Sequence, residues 1–261
     1  MKHSCLLAAF FLGLASLTPY ASGNTSAPTG PEDRILFPGA ARMILVGPYA
    51  GIDFTRHTGN FTTTQNGLLC CSFEKGSGLG LAAGVKAFIP LGGNFDFSPR
   101  LLYENPGGEF TALLQQYPIR GQNNSVELVT LENTLDVTLH TLSVDLLAAY
   151  TFKPLGLYLA LGPSAGFILA NRFTKTETIL GPPGVRYLDG RTAQEIFSES
   201  TEIPNTMTLS IRGGAGAMIP IGRGMRLNPE LLYGFPLTTV SKDGEWKAST
   251  VQATIGVLFE L

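Results

Sequence analysis

The chain has 261 residues, a formal net charge of −2 and only 15% charged side chains, against about 25% in ordinary soluble domains. That balance excludes a basic nucleic-acid binder. The 31 glycines, with no run of about 18 apolar residues, exclude a helical membrane protein and point to a sheet whose outer face meets lipid. A secreted soluble β-protein is the competing class.

Met1-Lys2-His3, an apolar run from Cys5 to Leu17 and the small-residue stretch Thr18–Gly23 read as a signal peptide, residues 1–23, with cleavage expected near Gly23. Residues 24–45, with Pro28 and Pro31, read as a periplasmic lead-in without a domain of its own. From residue 46 to 261 apolar residues alternate with small or polar ones, the period-2 signal of strands.

Eight strands are expected, near 46–57, 78–89, 94–105, 136–152, 156–173, 206–219, 224–236 and 249–261. The connections alternate. Pro90–Gly93, Lys153–Leu155 and Pro220–Arg223 are tight, while 58–77, 106–135, 174–205 and 237–248 are long. Short turns at one end and long loops at the other are the arrangement of outer-membrane barrels, with both chain ends in the periplasm. The fold class is therefore all-β: an eight-stranded antiparallel up-and-down transmembrane β-barrel.

The hairpin Gly84–Pro106 recurs as Gly214–Pro236, an offset of 130 residues (214 − 84), with ten of 23 positions identical. By parity Asp53, Lys86, Asp96, Arg100, Asp145, Arg212, Arg226 and Glu230 face inward, four acids and four bases. An eight-stranded barrel is just wide enough inside for side chains, and charges there are costly unless paired. The repeat aligns Asp96 with Arg226 and Arg100 with Glu230, on strands that oppose each other. Cross-lumen pairs Asp96–Arg226 and Arg100–Glu230 are expected, with pairing to adjacent strands as the competing arrangement. Tyr103, Tyr233 and Phe235 near the loop ends, and Phe88, Phe95, Tyr150, Phe152 and Phe259 near the turns, are expected to form two aromatic girdles.

Around Phe73–Gly80, Pro90–Gly92 and Phe95–Tyr103, and again over Leu155–Phe167, the chain resembles the PorT-like group of outer membrane protein beta-barrel domain proteins. The likeness covers most of residues 45–261. It implies a small barrel of OmpA- or OmpX-like shape in the outer membrane of a Gram-negative bacterium. Its motifs are structural, and none is catalytic.

No chemistry stands out beyond this. Gly76-x-Gly78-x-Gly80 has no helix after it, as a phosphate loop needs. His140 and Ser143 lie three apart on one strand and so face opposite ways. His57 is expected at a loop base. Cys70 and Cys71 are expected in a loop, as a strained ring or as thiols. No catalytic, metal or cofactor site is expected. The expected partners are outer-membrane lipid, the barrel-assembly machinery through the C-terminal strand, and an unknown extracellular ligand. The expected role is a barrel with a closed polar interior and long extracellular loops, structural or surface-interacting. A narrow porin-like channel is the alternative, and a lipid-acting barrel enzyme a weaker third.

Overall fold

A computed structural model describes residues 43–65, 68–112, 115–120, 126–153, 155–199, 206–241 and 245–261. The expected signal peptide and most of the expected lead-in lie outside the described residues. Among the described residues twelve strands form one antiparallel sheet: β1 Leu45–Gln65, β2 Leu68–Gly92, β3 Phe95–Glu104, β4 Gly108–Thr111, β5 Gln115–Arg120, β6 Val126–Phe152, β7 Leu157–Gly181, β8 Ala193–Glu199, β9 Met207–Ala217, β10 Ile219–Gly222, β11 Met225–Pro236 and β12 Lys247–Glu260. Eight of them close a ring in the order β1, β2, β3, β6, β7, β9, β11, β12, with β12 hydrogen-bonded back to β1. Closure leaves no sheet edge within the membrane, where an unpaired backbone group has no water to bond.

The tight turns lie at one end. Gly93, Gly156 and Gly224 each turn the chain there with positive φ of 58°, 64° and 70°, a conformation that costs a residue without Cβ little. Leu45 and Leu261 sit at the same end, Leu261 bonding to Ile44. In outer-membrane barrels the end with short turns faces the periplasm.

Outward positions are apolar around the ring. Leu79, Leu81, Val85 and Leu91 on β2, Leu157, Leu159 and Leu161 on β7, and Leu231 on β11 are all exposed. Leu79 to Leu91 is twelve steps, about 40 Å along a strand and about 30 Å across a membrane at the usual tilt. The alternating residues Ala82, Lys86 and Phe88 are buried inside.

The expected loops are largely strand. β1 and β2 stay paired up to Gln65 and Leu68, and β6 runs for 27 residues, where about ten cross a bilayer. β5 and β8 add to the outer parts of β6 and β7. The period-2 signal fades there because no lipid lies outside. Thr62, Thr63, Thr64, Thr174, Thr176 and Thr178 nevertheless keep the β-branched preference for extended backbone. Cys70 and Cys71 therefore lie on β2 instead of a loop, and their side chains fall outside the described residues. Among the described residues no helix is long and apolar enough to cross a membrane.

Val85→Arg puts a charge at mid-height on the lipid face, and it should lower unfolding stability in lipid vesicles by about 2–4 kcal/mol. Thr176→Arg, on the outer extension, should change it by no more than about 0.5 kcal/mol. Urea titrations of the two variants check this.

Candidate functional site

The feature of the interior most unlike a plain wall is a set of charged side chains meeting across it. Inward-pointing Lys86 on β2, Arg100 on β3 and Asp145 on β6 are side by side in register. Arg100 does not stop at its neighbour. Its guanidinium crosses the lumen to β11, donating from Nη1 to Glu230 Oε2 and from Nη2 to Glu230 Oε1, each at 2.6 Å. Lys86 Nζ donates to Glu230 Oε2 at 3.0 Å, and the Tyr158 hydroxyl to Oε1 at 2.8 Å. A carboxylate has about four acceptor sites, and all four are used. Lys86 also lies 4.7 Å from the centre of the Tyr49 ring.

Tyr158 reaches Glu230 because of a glycine. Tyr158 on β7, Gly216 on β9 and Glu230 on β11 lie in one row. A Cβ on Gly216 would stand 2.3 Å from the Tyr158 oxygen. The bare backbone lets the ring lie across it.

A second node sits toward the outer end. Arg212 Nη2 on β9 donates to both oxygens of Glu104 on β3, at 2.6 and 2.8 Å. Its Nη1 is 3.5 Å from Asp145 Oδ2, and the Ser143 hydroxyl donates to Glu104 Oε1 at 2.6 Å. Glu104 has the parity of Arg100 and adds to the inward charges expected from the alternation. It ends β3, next to Asn105 and Pro106, inside the strand expected over 94–105. It adds a fifth acid to the expected inward set, and Lys175 on β7 is fully buried as well.

Asp53, paired in register with Gln252, Asp96 and Asp145 are buried, while Arg226 is half-buried. Asp96 and Arg226 do not meet. Arg226 bonds to Glu260 on neighbouring β12 at 2.7 Å, and Asp96 accepts the Thr151 hydroxyl at 2.9 Å. Near the rim at the turn end a partner on the adjacent strand is closer than one across the lumen.

Apolar groups pack on either side of the charged layer. Phe88, Leu147, Tyr158, Met218, Leu232 and Leu258 belong to one buried cluster toward the turn end. Phe88 is therefore no girdle residue. It shares parity with Lys86 and meets the Tyr158 ring edge-on at 5.2 Å. Phe95, Tyr103, Phe152, Tyr233, Phe235 and Phe259 are exposed outward, and Tyr150 is half-buried between Phe95 and Phe152. The other cluster, toward the outer end, joins Phe73, Phe110, Leu135, Val137, Phe173 and Trp246. Between the Arg212 node and this cluster lies a cavity of about 60 Å³, lined by Glu104, Thr141, Arg212 and Thr250 among others. That is room for about two water molecules, far below the 300 Å³ and more of a ligand pocket.

Among the described residues no group of three His, Cys, Asp or Glu is placed to hold a metal ion. Ser143 is buried inside, and His140 contacts Tyr103 on the outer surface. Gly76, Gly78 and Gly80 lie within β2.

His57 is not at a loop base. Its neighbours on β1, Arg56 and Thr58, are exposed above the apolar belt, yet His57 itself is fully buried beside Phe110 and Trp246. The indole Nε1 donates to His57 Nδ1 at 3.1 Å. Burial pushes the imidazole down to about 4, and backbone hydrogen bonding at Gly107 and Pro106 opposes this only in part.

The closed ring, its apolar outer belt and its charged interior define a transmembrane β-barrel. The model of the family described as outer membrane protein beta-barrel domain matches residues 27–242. The chain belongs to that family, and its place is the outer membrane. The PorT-like subgroup stays a resemblance. The chain is also distantly similar to three solved structures. Ail, the attachment invasion locus protein of Yersinia pestis, shares 10% identity at a TM-score of 0.32, over 84% of this chain and 100% of that one. Neisserial surface protein A shares 9% at 0.33, over 82% and 97%. The outer membrane protease OmpT of Escherichia coli shares 7% at 0.35, over 84% and 97%. No curated protein sequence matches the chain.

The burial of His57 generates a pH prediction. Folded His57 stays neutral down to about pH 4, whereas a freed imidazole takes a proton below about 6.5. The open state therefore binds more protons in that window, and stability of the outer cluster falls as pH falls. Nothing changes above 6.5, and by pH 4 the loss reaches about 3 kcal/mol. Trp246 is the single tryptophan, so its emission should shift to the red between pH 6.5 and 4. The shift should be absent in His57→Phe.

Proposed function

We propose that this protein is a barrel closed to solutes, with a structural and surface-contact role: a rigid outer-membrane anchor holding an extracellular sheet. The observation that carries this is the four-donor clasp on Glu230. It runs from β2, β3 and β7 to β11 and so occupies the lumen at mid-height. A conduit is instead lined by same-sign rings or left open. The apolar clusters on both sides of the charged layer and the small cavity support the same reading.

The outer parts of β6 and β7, widened by β5 and β8, supply the contact surface. Tyr117, Val126, Leu128 and Leu188 are exposed there, beyond the strand length that the membrane needs. No catalytic role is assigned to any residue.

Planar-bilayer recording of the folded protein tests the proposal. No stable open level is expected from the unaltered chain. A reproducible open level would replace this reading with the narrow porin-like channel.

A further inference from the structure

On the outward face, just above the apolar belt, the register of β12, β1 and β2 builds three rows. The lowest is Val251, Phe54 and Leu79, all exposed toward lipid. The next row up is Ser249, Arg56 and Ser77, and the one above it Lys247, Thr58 and Lys75. Arg56, Lys75 and Lys247 are exposed. Strand spacing puts the two lysine backbones about 10 Å apart, with Arg56 one two-residue step, about 7 Å, below the midpoint between them. Three long cationic side chains thus surround one spot that also carries the hydroxyls of Thr58 and Ser77.

Among the described residues none of the three makes an ion pair. The nearest outward acid in these rows is Glu109 on β4, across from Ser77, followed by Asp136 on β6. The row changes from basic to acidic around the rim, and on β12, β1 and β2 the three cations outnumber the two exposed carboxylates beside them, Glu74 and Glu245. Glu74 and Glu245 lie close in sequence to Lys75 and Lys247 and pair with neither among the described residues.

We propose that Arg56, Lys75 and Lys247 form a docking site for the phosphorylated headgroup of an acylated glycolipid in the outer leaflet. The height selects this occupant. Phe54, Leu79 and Val251 meet acyl chains, so the groups directly above them meet the headgroup layer of the same lipid molecules. Charge complementarity selects the phosphate, since Lys and Arg hydrogen bonds to a phosphate are short and charge-assisted. One lipid can then touch both the apolar row with its chains and the basic rows with its phosphate.

Native mass spectrometry of the folded full chain tests this. The protein in detergent is mixed with a bisphosphorylated, acylated glucosamine disaccharide (lipid A) or with the same lipid after phosphatase treatment. The expected result is at least tenfold greater retention of the phosphorylated form. The combined variant Arg56→Gln, Lys75→Gln, Lys247→Gln, its folding checked by a heat-dependent gel shift, should lose that preference. A control with Arg186→Gln and Arg191→Gln, two exposed bases of the β7–β8 connection, should keep it. Should the triple variant fail to fold, Lys75→Gln and Lys247→Gln alone are each expected to lower retention about threefold. Equal retention of the two lipids by the unaltered protein overturns the proposal. So does undiminished retention by the folded triple variant or by both single variants.

Discussion

A carboxylate placed in the middle of a membrane barrel is the constraint on which the rest of the interior depends. Glu230 cannot be left alone there, because an uncompensated buried charge costs several kcal/mol. The chain meets that cost with Arg100 at two oxygens, Lys86 at one and Tyr158 at another. Each donor comes from a different strand. The clasp therefore ties β2, β3, β7 and β11 in addition to the ladder bonds that already join neighbours. Gly216 belongs to the same arrangement, since only a missing side chain lets Tyr158 pass.

The Arg212–Glu104 node repeats the logic one layer outward, again joining strands that are not neighbours. Together the nodes hold a narrow barrel against distortion, and apolar clusters pack on both sides of them. Outside the membrane different physics applies. Water now lies on the outer face, so β6 and β7 continue as a ladder of threonines and mixed residues with a small core of Phe110, Phe173 and Trp246 beneath. His57 is buried in this part, where burial disfavours its charged form.

Much of this was legible in the residues. Alternation along 78–89 and 156–162 separated lipid-facing leucines from inward groups, and the opposed charges of the repeat brought Arg100 and Glu230 into one argument. The same logic misplaced Asp96 and Arg226, since alignment of two hairpins says nothing about whether an adjacent strand offers a closer partner. Position near a turn suggests a girdle role for Phe88, whereas the parity it shares with Lys86 puts it inside. Glu104 lies within the strand expected over 94–105 and has inward parity, but the repeat sets it against Gly234 and so offers no opposite charge to mark it. The outer extensions of β1, β2, β6 and β7 were hidden for a physical reason: binary patterning records lipid on one side, and beyond the membrane that pattern no longer has to hold.

The claim that the interior is organised by a cross-barrel charge clasp is tested most directly by a double-mutant cycle on Arg100 and Glu230, read by urea unfolding in lipid vesicles. Arg100→Ala and Glu230→Ala should each cost about 3–5 kcal/mol, because each strands its partner in the interior. The double variant should cost less than their sum by at least about 2 kcal/mol. Additive losses of less than about 1 kcal/mol each would show that the two side chains do not hold one another.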